Sequence, residues 1–166
     1  MNYEILPITE VHIKSFNAAV SSVASEKKYL ALLKAPSIES TREFVLGNLK
    51  KNSPHYVAIH DDKVIGWCDI TSLNRDAFSH VGKLGMGVLA EYRGQGIGTH
   101  LIKTVLKKAK SNGLTRVELT VRENNTNAMK LYKKVGFEEE GFHRNAVRVD
   151  GQYENHISMA ILLEDS

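Results

Sequence analysis

The stretch Arg93-Gly94-Gln95-Gly96-Ile97-Gly98-Thr99 has the residue types and spacing to hold an anion. It follows an apolar, glycine-broken run from Leu84 to Leu89. It leads into a helical pattern of Leu101, Ile102, Val105, Leu106 and Ala109. A strand, a glycine-rich turn and a helix start in that order form a pyrophosphate cradle. The first N–H groups of a helix have no intrahelical partner, and the helix dipole adds partial positive charge at the same end. Phosphate oxygens satisfy both. The glycines carry no β-carbon to hold a ligand away from the backbone. A Walker A loop would need Gly-x-x-x-x-Gly-Lys-Ser/Thr, which the chain does not contain. The dinucleotide fingerprint fits Gly94 and Gly96 but meets Thr99 where its third glycine belongs. That fingerprint also follows the first strand of its unit, whereas at least three strand candidates precede this turn.

A second group is Asn124-Asn125-Thr126-Asn127-Ala128-Met129-Lys130-Leu131-Tyr132, continuing through Lys133-Lys134-Val135 to Gly136-Phe137. It reads as a short helix with Ala128, Leu131, Tyr132 and Val135 on its apolar face. Gly136 stands where a left-handed C-terminal cap is wanted. Asn125 and Tyr132 are about two turns apart on one face. By itself this is an ordinary helix, and a tyrosine so placed is more often core than catalyst.

Taken together, Arg93-x-x-Gly96-x-Gly98 and then Asn125-x-x-Ala128-x-x-Leu131-Tyr132-x-x-x-Gly136-Phe137 resemble the GNAT superfamily of acetyl-CoA-dependent N-acetyltransferases. The resemblance runs from about Val57 to the C-terminus. It implies an α/β (α+β) fold: a mixed, mostly antiparallel sheet of six or seven strands, splayed between the fourth and fifth and flanked by about four helices. It implies acetyl-CoA as cosubstrate and no metal, and the seven histidines show no metal-ligand spacing. The cofactor-binding residues it implies are Met86, Val88, Arg93, Gly94, Gln95, Gly96, Ile97, Gly98, Thr99, Asn125, Ala128 and Tyr132. The backbone of Met86 and Val88 would bond the pantetheine amides like an added strand. Asn125 would contact the same arm, and Tyr132 matches the family's general acid. Glycines 82, 85 and 87 in the strand before the turn agree, because glycine inside a strand marks a bulge or a close approach.

Acetyl transfer sets its own requirements. An amine attacks a thioester only when neutral, and a free primary amine has a pKa near 10.4, so a base or water relay must take its proton. The developing oxyanion needs a donor, for which the N–H of Val88 is the candidate. The leaving thiolate needs an acid, the role assigned to Tyr132. For the base, Lys83 occupies the region where a carboxylate would be attractive. Glu26, Asp69, Glu154 and His156 remain as candidates.

The acceptor is read from the C-terminal half, Phe137-Glu138-Glu139-Glu140-Gly141 through Arg148-x-Asp150-Gly151-x-Tyr153 and Met159. This half is similar to that of bacterial acetyltransferases of polyamines, free amino acids and ribosomal-protein N-termini. Glu26, Lys28 and Tyr29 resemble a segment facing the substrate pocket in the same group. Glu26, Tyr29 and Glu154 are therefore the expected substrate-binding residues. A small amine or amino acid is the first expectation, reached by direct attack in a ternary complex. A protein N-terminus or lysine is the second. A non-catalytic acetyl-CoA sensor and a nicotinamide-dependent oxidoreductase are readings from other classes.

The elements that must position these residues follow from periodicity and punctuation. Asn2–Pro7 reads as a strand and Val11 to about Leu33 as a helix, with a break near Ser25. Ser40 with Glu43 suggests a capping box for a helix through Lys50. His55–His60 and Val64–Thr71 read as a hairpin about Asp61-Asp62, and Ser72–Ser79 as a loop. Val81–Val88 is a strand, and the helix after the glycine turn runs to Asn112 with Gly113 as cap. Thr115–Val121 alternates as a strand. Phe137–Val149 and Tyr153–Leu163 pair through Asp150-Gly151.

Composition fits one domain over residues 1–166 with enough apolar residues, 42%, for a sizeable core. The net charge of +3 is slight. Lys103, Lys107, Lys108 and Lys110 read as a solvated helix face, with a helper role toward the CoA 3′-phosphate as the alternative. Nothing suggests a nucleic-acid groove or a membrane span. The single cysteine, Cys68, reads as a buried thiol. With no signal pattern at the N-terminus, the expectation is a cytoplasmic chain. Homodimerisation is expected from the fold alone.

Overall fold

The computed structural model describes residues 1–163. The expected 1–166 domain therefore has its last three residues outside the described part. Seven strands form one sheet: β1 (Glu4–Pro7), β2 (His55–His60), β3 (Lys63–Ser72), β4 (Val81–Val88), β5 (Arg116–Arg122), β6 (Glu138–Val149) and β7 (Gln152–Leu162). Their order is β1-β2-β3-β4-β5-β7-β6. The described residues also form four α-helices: α1 (Ile13–Ser25), α2 (Ile38–Lys50), α3 (Ile97–Ser111) and α4 (Thr126–Val135).

All adjacent strands are antiparallel except β4 and β5. That parallel pair is short. Val81 faces Arg116, Gly82 faces Val117 and Lys83 faces Glu118, and pairing stops there. From Leu84 onward β4 stays paired to β3 on one side only. The result is the expected splay between the fourth and fifth strands.

Two apolar layers hold the sheet. On one face Leu101, Ile102 and Val105 of α3 and Tyr132 of α4 pack on Cys68, Ile70, Val117 and Leu119. On the other, Ile13, Phe16, Val20 and Val23 of α1 pack on Val57, Val64 and Trp67. Burial of these side chains contributes roughly 1.5–3 kcal/mol each before conformational entropy is counted. The hairpin turns match their sequence signals. Asp61-Asp62 and Asp150-Gly151 both have positive φ at each central residue, as a type I′ turn requires.

Two expectations are corrected. The first helix ends at Ser25, at the expected break, but the chain does not resume as helix to Leu33. Lys27 turns into the left-handed region (φ 57°), and its N–H closes on the Ala24 carbonyl. The residues beyond are drawn away by two arginines described below. The second helix is capped by Ser37, not Ser40. The Ser37 hydroxyl accepts from the Ser40 N–H at 3.1 Å. The apolar pattern begins one turn earlier than the Ser40–Glu43 pair suggested.

Candidate active site

The glycine turn runs from β4 into α3. Gly94 and Gly96 have φ of +75° and +84°, and a β-carbon built on either meets nothing within 4 Å. Their backbone is open to the cleft and lies in a region that L-residues avoid. The first intrahelical bond is His100 N–H to Gly96 C=O. The N–H groups of Ile97, Gly98 and Thr99 therefore begin the helix without a partner four residues back. Gly98 has a different task. A β-carbon there would lie 3.1 Å from Leu131 Cδ2 and 3.3 Å from Met86 Cε. Its missing side chain lets α3 close on α4 and β4, so only Gly94 and Gly96 keep the backbone clear for a ligand. Gln95 points away, its amide donating at 3.4 Å to the Glu91 carbonyl.

The turn opens on a cleft of about 540 Å³. Met86, Val88, Arg93, Gly94, Gly96, Ile97, Gly98 and Thr99 line one wall, and Asn125, Ala128, Leu131 and Tyr132 the other. Gln95 does not line it. The edge of β4 supplies the chemistry between the walls. The Leu89 N–H donates to the Ile65 carbonyl of β3. By strand alternation the N–H groups of Val88 and Met86 point the other way, into the gap left by β5. They form a rail of two backbone donors two residues apart. The Val88 carbonyl, on the same side, already accepts from Arg93 Nε at 2.9 Å. Met86 keeps both donor and acceptor, whereas Val88 keeps its donor.

On α4, Asn125 is the N-cap. Its side-chain oxygen accepts from the Ala128 N–H at 3.3 Å. Two turns on, Tyr132 is 8% exposed and packs against Phe137 with ring centroids 5.8 Å apart. Burial, reinforced by Cys68, pushes its phenol well above the usual tyrosine range. The hydroxyl is held in its protonated form, ready to donate.

Arg93 does not reach outward as a free phosphate ligand. Its guanidinium forks onto Glu26, with Nη1–Oε1 at 2.9 Å and Nη2–Oε2 at 2.5 Å. It also lies over the Tyr29 ring, 4.6 Å from the centroid. The Arg93 hydrogen bonds hold the Glu26 carboxyl below the usual carboxylate range against a raising effect of burial. Glu26 is therefore a spent carboxylate, tied to the turn and poor as a base. Tyr29 lines the cleft. Glu154 stands 3.5 Å from Arg122 and His156 occupies β7 beside it. Burial first, then the Arg122 charge, lowers the imidazole pKa of His156. Neither lines the cleft, and nor does Asp69, which is buried on β3 opposite Gly85 of β4.

Four lining residues carried no signal of their own in the sequence, Tyr92 before the glycine turn among them. Val23 arrives from α1, and Asn127 and Lys130 from the exposed side of α4. Lys130 is the lysine at the cleft. None of the four α3 lysines named above borders it. Asn127 and Lys130, three residues apart, share one face of α4.

The site thus unites a helix start with unpartnered N–H groups, a one-sided strand edge and a buried phenol on one cleft. The model of the acetyltransferase (GNAT) family matches residues 19–137, and the chain belongs to that family. It is similar to the L-amino acid N-acetyltransferase AaaT of Escherichia coli (strain K12), at 34% identity over 106 residues, 63% of this chain and 65% of that one. It is also similar to a putative [ribosomal protein bS18]-alanine N-acetyltransferase of Bacillus subtilis (strain 168). That match is 31% identical over 99 residues, 59% of this chain and 63% of the relative. In both cases the match spans less than two thirds of the relative's length. Among solved structures, yncA from Salmonella typhimurium, with its cofactor acetyl-CoA, superposes with a TM-score of 0.93. It covers 100% of this chain and 96% of that one at 13% identity. This likeness shows a shared fold.

Proposed function

We propose that this chain transfers an acetyl group from acetyl-CoA to a primary amine. The observation that carries the reading is the convergence on one cleft of the Gly94/Gly96 cradle, the free Met86 and Val88 N–H groups and the protonated Tyr132 hydroxyl. The residues fit the cosubstrate. The unobstructed turn and the first N–H groups of α3 would hold its pyrophosphate, with Lys130 as a nearby cation. The β4 edge would bind its pantetheine arm, flanked by Asn125 and Ala128. Bound there, the cosubstrate supplies an activated acetyl thioester.

The remaining roles belong to the chain's own atoms. The Val88 N–H points into the gap, where it can donate to the developing oxyanion. Tyr132 protonates the departing sulfur. Arg93 fixes the turn to β4 through the Val88 carbonyl and to the segment after α1 through Glu26. Glu26 and Tyr29 shape the acceptor side by position, with Glu26 acting through Arg93. Glu154 acts at a greater remove, against Arg122.

A small amine or amino acid is the acceptor this reading favours, since the relative AaaT is an L-amino acid N-acetyltransferase. A protein N-terminus is the second reading, favoured by the ribosomal-protein-directed relative. Isothermal titration with acetyl-CoA, followed by an amine panel with free-thiol detection, tests both. Binding and thiol release with amino acids or small amines support the first, and release only with peptide N-termini supports the second. Binding without turnover on either would point to an acetyl-CoA sensor. Absence of binding would overturn the whole reading.

A further inference from the structure

We infer that Asp69 is the catalytic base that takes the proton from the acceptor amine, an assignment that rests on the acetyl-transfer reading above. Asp69 lies on β3, directly opposite Gly85 of β4, and two residues along, on the same face, Trp67 pairs with Gly87. Side chains two apart on a strand share a face, so Asp69 and Trp67 both point to the α1 side of the sheet. A β-carbon built on Gly85 would lie 3.6 Å from Asp69 Oδ1 and 3.8 Å from Oδ2. Both carboxylate oxygens therefore hang over a position with no side chain, and that position is exposed. Any larger residue at 85 would stand between the carboxylate and the gap. The next residue is Met86, one of the two that aim an N–H into the gap. Relative to Met86 on the rail, Asp69 is thus offset by one residue step, roughly 3.3 Å along the strand, and one strand spacing, about 4.8 Å, across it.

The other candidates are engaged or distant. Glu26 is forked by Arg93, Glu154 stands against Arg122, and His156 is on β7. The Asp69 carboxylate forms no side-chain hydrogen bond or ion pair among the described residues. It is also on the correct side. Tyr132 belongs to the α3/α4 core, whereas Asp69 faces the α1 side. The nucleophile approaches from one face of the splayed strand and the sulfur leaves toward the other. Desolvation raises the Asp69 pKa to about 7, which places a base near the pH where it is most effective. The groups facing it are few. His55 of β2 is its direct register partner and is kept neutral by burial, with a pKa of about 4. Lys83 of β4 lies on the same face two residues away and is paired in register with Glu118 of β5. The inward face of α1 is apolar.

The protons and bonds balance. Asp69 takes one proton from the ammonium group, and the freed lone pair forms the C–N bond at the acetyl carbon. The C–S bond breaks, and Tyr132 gives its hydroxyl proton to sulfur. The tyrosinate recovers a proton from the new amide nitrogen, and Asp69 releases its proton to solvent.

The test compares wild type, Asp69→Asn and Asp69→Glu. Acetyl-CoA titration gives binding, thiol release with the best amine gives kcat and kcat/KM from acid to alkaline pH, and carboxyl carbon NMR follows Asp69 without ligand. The expected result is a carboxyl titrating near pH 7 in wild type and missing in D69N. D69N should bind acetyl-CoA like wild type but lose about 10²- to 10⁴-fold in kcat, and the acid limb of its profile should flatten. D69E should recover part of the rate. Wild-type turnover with an unchanged D69N profile would overturn the assignment and leave acetyl transfer standing. A wild-type chain that releases no thiol with any amine would overturn both.

Discussion

Tyr132 and Asp69 are both shifted upward by burial, with different chemical consequences. A phenol moved up stays protonated across neutral pH, as the proposed acid role requires. A carboxyl moved to about 7 is divided between its two forms and can exchange a proton within each cycle. Tyr132→Phe should lower kcat by about 10²-fold or more while leaving acetyl-CoA affinity unchanged, as read by parallel kinetics and titration. The Asp69 shift also has a cost in stability. The folded state binds that proton more tightly than the unfolded chain, so stability declines as pH rises from about 4 to about 7. The ceiling is on the order of 4 kcal/mol. His55 runs the opposite way. Its pKa is lowered from 6.5 to about 4, so its contribution is lost as pH falls through that window. Asp69→Asn should remove the decline belonging to the carboxyl. Denaturant melts should show D69N gaining on wild type from about pH 4 to about pH 8, and equal slopes would contradict the buried carboxyl.

At the scale of elements, glycines decide how closely the parts of the site approach. Gly96, with φ of +84°, starts α3 in a conformation that costs an L-residue roughly 1–2 kcal/mol. Gly96→Ala should lower the melting temperature and weaken acetyl-CoA binding together. Gly87 is a different case. A β-carbon there would lie 2.3 Å from Trp67 Cη2, and the indole is 4% exposed. The ring would have to move, and with it the strand that carries the Val88 N–H. Gly87→Ala should cost about 1–3 kcal/mol in thermal or chemical melts and should reduce turnover more than cosubstrate binding. Much of this level was legible in the sequence. Alternation, the Asp61-Asp62 and Asp150-Gly151 turns and the glycine-rich helix start placed the strands and α3 within a residue or two. The break near Ser25 was legible, but its cause was not, because the apolar spacing continues past it. What stops the helix is a left-handed Lys27 and tertiary hydrogen bonds that no local pattern records.

Across the whole molecule, two arginines from distant elements strap down the segment that follows α1. Arg93 grips Glu26 and lies over Tyr29. Arg122 of β5 is 3% exposed and donates to the carbonyls of Lys27 at 2.6 Å and Leu30 at 2.7 Å. The exposed Lys27–Asp150 pair adds little. Hydrogen bonds to a charged donor contribute about 1.5–3 kcal/mol each. Arg122→Ala should therefore speed tryptic cleavage after Lys27 and Lys28 by about 10-fold or more, followed by mass spectrometry under native conditions. Cleavage at the wild-type rate would mean that other contacts hold the segment. Because Arg93 also binds the Val88 carbonyl, the cradle, the β4 edge and the acceptor-side segment meet on one guanidinium.

The sequence by itself determined the glycine turn, the helix with Asn125 and Tyr132, and the succession of strands along the chain around them. Those features depend on neighbours a few residues apart, where backbone conformation and periodicity are written locally. Tertiary structure decided which charges are free. In the sequence Arg93 reads as an anion ligand and Glu26, Asp69, Glu154 and His156 as equivalent bases. The fold brings Glu26 across 67 residues onto Arg93 and sets Asp69 over the bare backbone of Gly85. Ion pairing and desolvation act through space, so the protonation state of a carboxylate depends on partners that adjacent sequence does not name.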